Sequence, residues 1–175
     1  PWENYQDRNA SAFVDLYKST VDEQYVPYIR PQENGYKTDT RWLALTSKAG
    51  SGLLIVSGRE KNISFSALHM PNEDFDMTAG LLYNKATYAD PIYSENGKVI
   101  VNRAKHTFDI KKQNLVQLNI DSAQRGVAGD NSWGAKAKEK YQINAQHSQR
   151  YSFSLMPVSQ VSTDKLISLS KWIQD

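Results

Sequence analysis

Histidines and carboxylates are the side chains here that could bind a metal or move a proton. His69, His106 and His147 lie far apart, and none belongs to a close His/carboxylate spacing such as a helical HExxH. Each reads as a packed or surface histidine, so no metal ligand is assigned. Asp7, Glu33, Asp121 and Asp130 are the acids from which a glycosidase pair could be drawn. Such a pair must stand at a defined separation, which spacing along one chain does not establish. Most of them read better as solvated loop acids or as acceptors for turn amides. The chain has no cysteine, which excludes thiol catalysis, disulfide scaffolds and cysteine-ligated zinc. Neither a Gly-x-Ser-x-Gly elbow nor a Walker-type phosphate loop occurs. Residue chemistry and spacing therefore identify no catalytic residue.

Residues 126–134, Gly-Val-Ala-Gly-Asp-Asn-Ser-Trp-Gly, are more informative. Three glycines with Asp130 and Asn131 directly after a strand-like stretch make a structured turn rather than a continuing ladder. The turn ends in Trp133, flanked by Ser132 and Gly134 instead of the apolar neighbours of a core Trp. An indole on a loop suits the C–H face of a sugar ring, with polar groups nearby for its hydroxyls. The other reading is a Trp that closes the end of a sandwich, and residue chemistry alone does not choose between the two. Lys136, Lys138 and Lys140 beside Tyr141 form a small basic cluster interrupted by Glu139. A solvated edge strand explains it more simply than a nucleic-acid track. Asn9-Ala10-Ser11 and Asn62-Ile63-Ser64 fit the glycosylation pattern, which is too short to carry weight.

The elements that must position these residues are mostly strands. Residues 11–18 read as a strand buried on both sides, because their two faces separate only partly. A second strand covers residues 41–46, and Gly50-Ser51-Gly52 breaks the chain before a short buried strand at 53–57 bounded by Gly58. Ile63, Phe65 and Ala67 share a face with His69. Val116, Leu118 and Ile120 alternate with Gln117, Asn119 and Asp121, and Tyr151, Phe153 and Leu155 alternate with Ser152 and Ser154. Pro71-Asn72-Glu73-Asp74-Phe75 suits one helical turn. Thr163 is placed to cap a closing helix carrying Leu166, Ile167, Leu169 and Ile173, with Trp172 beside them. Residues 77–103 read as an irregular excursion with a hairpin turn at Glu95-Asn96-Gly97-Lys98. Many short strands and few helices predict an antiparallel sandwich or barrel.

Composition sets the outer bounds. The chain has 175 residues, 21 basic and 19 acidic, with 39% hydrophobic residues, which suits one domain with an apolar core. A net charge of +2 argues against a general polyanion or nucleic-acid binder. The longest aliphatic run, Leu53-Leu54-Ile55-Val56, is far short of a membrane span. Pro1-Trp2-Glu3-Asn4-Tyr5 holds neither an initiator Met nor a leader, so a piece of a longer chain is expected, with its compartment, cytoplasmic or periplasmic, left open.

Several motifs in register carry a resemblance. Glu3-Asn4-Tyr5-Gln6-Asp7-Arg8 is followed by Tyr25-Val26-Pro27-Tyr28-Ile29-Arg30-Pro31-Gln32-Glu33-Asn34-Gly35. Then come Arg41-Trp42, Phe65-Ser66-Ala67, Asn119-Ile120-Asp121 and Gly129-Asp130-Asn131-Ser132-Trp133-Gly134. In this order they resemble the small-chain region of glycoside hydrolase family 2 β-galactosidases, over nearly the whole chain to about Met156.

The resemblance implies an all-β fold, a large antiparallel β-sandwich (the galactose mutarotase-like supersandwich), with a short C-terminal helix. Residues 1–156 would be the C-terminal part of that domain and 157–175 a tail. The implied activity of the whole protein is retaining hydrolysis of terminal β-D-galactosides by two carboxylates in a separate, absent barrel domain. Trp133 would stack on the aglycone sugar, with Asp130 and Asn131 as further substrate-binding residues. Two departures stand out: the second Asp usual in the family is Asn131, and a preceding Gly is Ala128. The resemblance is silent on the 77–103 stretch, which looks like an insertion. Family members often use magnesium with sodium or potassium, but no ligand for them is assigned here. The implied partners are a β-galactoside and further copies of the chain in a homo-oligomer, with no nucleic acid and no membrane.

Overall fold

Short antiparallel strands carry most of the regular structure in the computed structural model, which describes residues 3–29, 33–75, 92–93, 99–101, 107–131 and 133–174. In chain order these are β1 (Lys37–Thr40), β2 (Trp42–Thr46), β3 (Gly52–Ser57), β4 (Ile63–Leu68), α1 (Asn72–Phe75), β5 (Ile92–Tyr93), β6 (Val99–Val101), β7 (Gln117–Asp121), β8 (Phe153–Val158) and α2 (Thr163–Gln174). They form two three-stranded sheets, β1-β4-β7 and β2-β3-β8, and β5 pairs with β6. The fold is all-β and antiparallel with one short C-terminal helix, as the strand-rich sequence predicts. The chain divides into two compact units: Asn4–Phe13, Lys37–Phe65 and Ile120–Asp175 form one, and Pro1–Glu3, Val14–Tyr36 and Ser66–Asn119 the other.

The first of these units is built on β2-β3-β8. Strand β3 is central, pairing Leu43↔Ile55 with β2 and Leu54↔Met156 with β8. Leu54, Ile55 and Val56 are wholly buried, so both faces of β3 are covered. On one face, Leu54, Val56 and Val158 meet Leu166 of α2, joined by Trp42, Met156, Leu169 and Ile173. Burying such side chains is worth roughly 1.5–3 kcal/mol each, which fixes the helix on the sheet. A β-carbon on Gly52 would stand 1.9 Å from the Leu45 carbonyl oxygen, so only glycine opens β3 at this distance from β2. In the other sheet, Asp39 at φ 54° marks a register shift between β1 and β4. The buried Asn4 side chain accepts the Thr38 N–H at 3.0 Å and donates to its Oγ1 at 2.9 Å, seating the N-terminal segment on β1.

In the second unit, Leu68, Met70 and Phe75 form the core with Tyr25, Ile29 and Ile110 packed around them. The fully buried Asn34 amide accepts the Val26 N–H at 3.0 Å and donates to the Val26 and Tyr28 carbonyls at 2.6 and 2.9 Å. One side chain thus satisfies the backbone of an irregular segment that has no ladder. Asn119 donates to Ser66 Oγ at 2.9 Å and exchanges hydrogen bonds with Asn72, the first residue of α1.

Several local expectations need correction. Residues 11–18 form no strand; Phe13 and Val14 are 80% and 83% exposed. Asp15 Oδ1 instead takes the Leu16 N–H at 2.7 Å, a local bond that competes with a ladder. In β8 the core face carries Met156 and Val158, whereas Leu155 is 55% exposed, so the expected alternation has the opposite phase. The closing helix is capped one residue earlier than expected: Ser162 Oγ accepts the Lys165 N–H at 3.3 Å, and Thr163 is already helical. Residues 136–141 are not an edge strand but an extended stretch ending in a 3-10 turn, Glu139–Tyr141, with Lys140 Nζ 4.6 Å from the Tyr141 ring centroid. The expected helical turn is present as α1. The hairpin turn at 95–98 and His106 lie outside the described residues.

Candidate functional site

The site begins with a tight turn near the N-terminus. The N–H of Arg8 donates to the Tyr5 carbonyl at 2.9 Å and the N–H of Tyr5 to the Arg8 carbonyl at 3.4 Å, closing the chain on itself. With Asn4 fixed on β1, this turn directs Asp7 and Arg8 at residues 126–130. Asp7 is nearly buried, its side chain 5% exposed. Its Oδ1 accepts the Val127 N–H at 3.0 Å and its Oδ2 the Ala128 N–H at 2.9 Å. Arg8 holds the loop from its carbonyl side, donating to the Ala128 oxygen and to Asp130 Oδ1 at 3.3 Å.

The local sequence explains why the loop accepts this grip. A β-carbon on Gly126 would lie 2.6 Å from Asp7 Oδ2, so glycine is what admits the carboxylate. The Gly126 N–H is itself spoken for by the Tyr141 carbonyl at 2.7 Å. Ala128 and Gly129 then take φ values of 61° and 88°, a left-handed stretch that reverses the chain. Glycine adopts that region freely and alanine does not, so the Ala128 departure sits at a conformationally demanding position. Beyond it, Asn131 Oδ1 accepts the Trp133 N–H at 2.9 Å in an Asx turn, a role an Asp could fill equally. Asn131 in place of Asp thus preserves this bond.

Trp133 is 93% exposed. Among the described residues none buries the indole, which stands on a braced loop. Asp130 and Asn131 are exposed beside it. Ser132 lies outside the described residues.

The Asp7 carboxylate is structural. Burial raises the cost of charging Asp7, but the N–H groups of Ala128 and Val127 and the Arg8 guanidinium outweigh it and hold the carboxyl below its usual range. An anion with both oxygens on amides is a poor general base or nucleophile. Asp7 was legible as an acid bonding turn amides; Arg8 was missed, and its signal was the motif that places it beside Asp7. His69 is far from this chemistry in role: its Nδ1 lies 2.6 Å from the Leu115 carbonyl oxygen, near Asp22, whose carboxyl a hydrogen bond from Lys112 keeps low. His147 is exposed in a turn closed on Asn144. Among the described residues no group of three or more His, Cys, Asp or Glu is gathered to hold a metal ion, and no helix is long and apolar enough to cross a membrane.

Comparison with known proteins gives this geometry its context. The family model described as the β-galactosidase small chain matches residues 1–156. The β-galactosidase of Priestia megaterium is 33% identical over 158 residues, covering 90% of this chain and 13% of the relative. That of Vibrio vulnificus is 29% identical over 159 residues, 91% of this chain and 12% of the relative. That of Streptococcus thermophilus is 24% identical over 157 residues, 90% and 13%. The chain thus spans about an eighth of the length of these relatives, and the family match includes Asp7, Arg8 and the tryptophan loop. It belongs to the β-galactosidase small-chain family.

Proposed function

We propose that this chain is the carboxy-terminal domain of a retaining β-galactosidase, supplying scaffold and an aromatic wall at the aglycone side of the active site. The observation that carries the reading is the open indole of Trp133 on a loop whose backbone is bonded on both sides. A sugar ring stacks its C–H face on such an indole, while Asp130 offers its second oxygen and Asn131 its amide to hydroxyls. The two carboxylates of the retaining reaction would come from another domain of the full-length protein, as would ligands for magnesium, sodium or potassium. The full-length protein is read as a homo-oligomer.

Trp133→Ala in the full-length protein tests the reading. It should weaken a disaccharide more than a galactoside with a minimal leaving group, and acceptor sugars should intercept the galactosyl-enzyme less often. Equal losses on both substrates with a collapsed melting temperature would defeat it. The isolated chain should show no turnover of a chromogenic β-galactoside; activity persisting through repurification would sink that claim. An open indole is also what an autonomous carbohydrate-binding module presents, and submillimolar galactoside binding by the chain alone would favour that alternative.

A further inference from the structure

We propose that Asp7 and Arg8 are positioning residues for Trp133, and that their two-sided clamp on residues 127–130 sets how selectively the aglycone is recognised. The inference rests on the reading of Trp133 as the aglycone wall and adds the device that holds that wall in place.

The clamp grips one peptide after another. Asp7 takes two successive amides, one on each oxygen, which fixes the orientation of both peptide planes. The left-handed Ala128 lets the same residue give its N–H to Asp7 and its carbonyl to Arg8, so the two side chains hold opposite sides of one turn. Arg8 extends the grip to Asp130, the residue immediately before the Asx turn that orients the Trp133 backbone. Gly126 is shaped around the Asp7 carboxylate and would exclude it with any side chain.

The indole itself is 93% exposed, so its placement depends on the loop beneath it. A solvent-exposed Trp on an unbraced loop would lose conformational freedom on each binding event, which weakens affinity; a braced loop has already lost it. None of the clamp residues belongs to the cluster of Leu54, Val56, Val158 and Leu166 that anchors α2 on its sheet. Releasing the clamp should therefore displace Trp133 without dissolving that core.

The test uses the full-length protein with 5-fluorotryptophan, its Trp133 resonance assigned by Trp133→Phe. Asp7→Ala and Arg8→Gln should shift or broaden that resonance. They should raise KM for a disaccharide β-galactoside by roughly fivefold, the size of one lost stacking contact, and change kinetics on a small-leaving-group galactoside far less. In a Trp133→Ala background neither should add a further disaccharide-selective loss, because coupled residues are non-additive. Arg8→Lys should recover part of the effect, since one ammonium replaces only one of the two loop contacts. An unmoved Trp133 resonance, or losses that add fully to those of Trp133→Ala, would overturn the proposal. If Trp133→Ala treats both substrates alike, the aglycone wall fails, and the fluorine signal alone then decides the clamp. Should Asp7→Ala not fold, Arg8→Gln decides, because the Arg8 side chain is 43% exposed and outside the core.

Discussion

Asn131 takes the backbone N–H of Trp133 on its Oδ1, so the residue two before the indole sets the direction in which the indole leaves the loop. An oxygen at that position is what the turn requires. Asn131→Asp should keep the turn and leave the melting temperature within about 1 °C of wild type, whereas Asn131→Ala should remove a bond worth about 0.5–1.5 kcal/mol. Thermal melts with disaccharide kinetics check this. Indistinguishable Ala and Asp variants would show that the Asx bond does not matter.

Ala128 occupies left-handed backbone at φ 61°. Ala128→Gly relieves that strain at the cost of greater freedom in the unfolded chain, and the net effect should be a stabilisation of about 0.5–1 kcal/mol. Chemical denaturation with an unchanged slope and a higher midpoint is the expected outcome. A lower midpoint would contradict the account.

The phase of β8 separates two neighbouring leucine-bearing positions. Leu54 is wholly buried beside Met156, and Leu155 points away from that cluster at 55% exposure. Leu54→Ala should cost about 2–5 kcal/mol, whereas Leu155→Ala should stay below about 1 kcal/mol. Comparable losses would mean that the strand faces are assigned the wrong way round.

Asp7 gives the stability an acid limb of definite sign. Its folded pKa lies below the ordinary value of 3.8, so the native state binds fewer protons than the unfolded state near that pH. Its contribution is complete above the ordinary value and is lost as the pH falls through the folded pKa. Asp7→Asn sets an amide N–H against a backbone N–H and should cost about 1–3 kcal/mol at neutral pH. The gap between wild type and variant should narrow as melts are run from pH 5 towards pH 2. A gap independent of pH would exclude Asp7 as its source.

The sequence was most legible where one residue type answers a specific need. Gly126 to Gly134 could be read as a turn because glycine and Asx residues do what other residues cannot in left-handed and capped backbone. The resemblance motifs mark pivots: Asn4, Asp7, Ser66 and Asn119 each bond backbone or side chains distant in sequence, and Asn34 ties down the irregular segment just before it. Strand phase was less legible. In β8 Ser152 and Ser154 make their face look polar, yet the same face carries Met156 and Val158, which supply the apolar contacts. Residues 11–18 misled because an apolar run without clean alternation says nothing about whether a partner strand exists. The clamp itself was beyond reach, since no local pattern links Asp7 to an amide 121 residues away.

That separation has a consequence for biosynthesis. At elongation rates of about 5–20 residues per second, roughly 6–24 s pass between synthesis of Asp7 and of Ala128. Throughout that interval the acid that will hold the loop has no amides to accept. The tryptophan loop is therefore braced only once residue 128 has been made, and a ribosome that stalls between residues 8 and 126 leaves one half of the grip with nothing to hold.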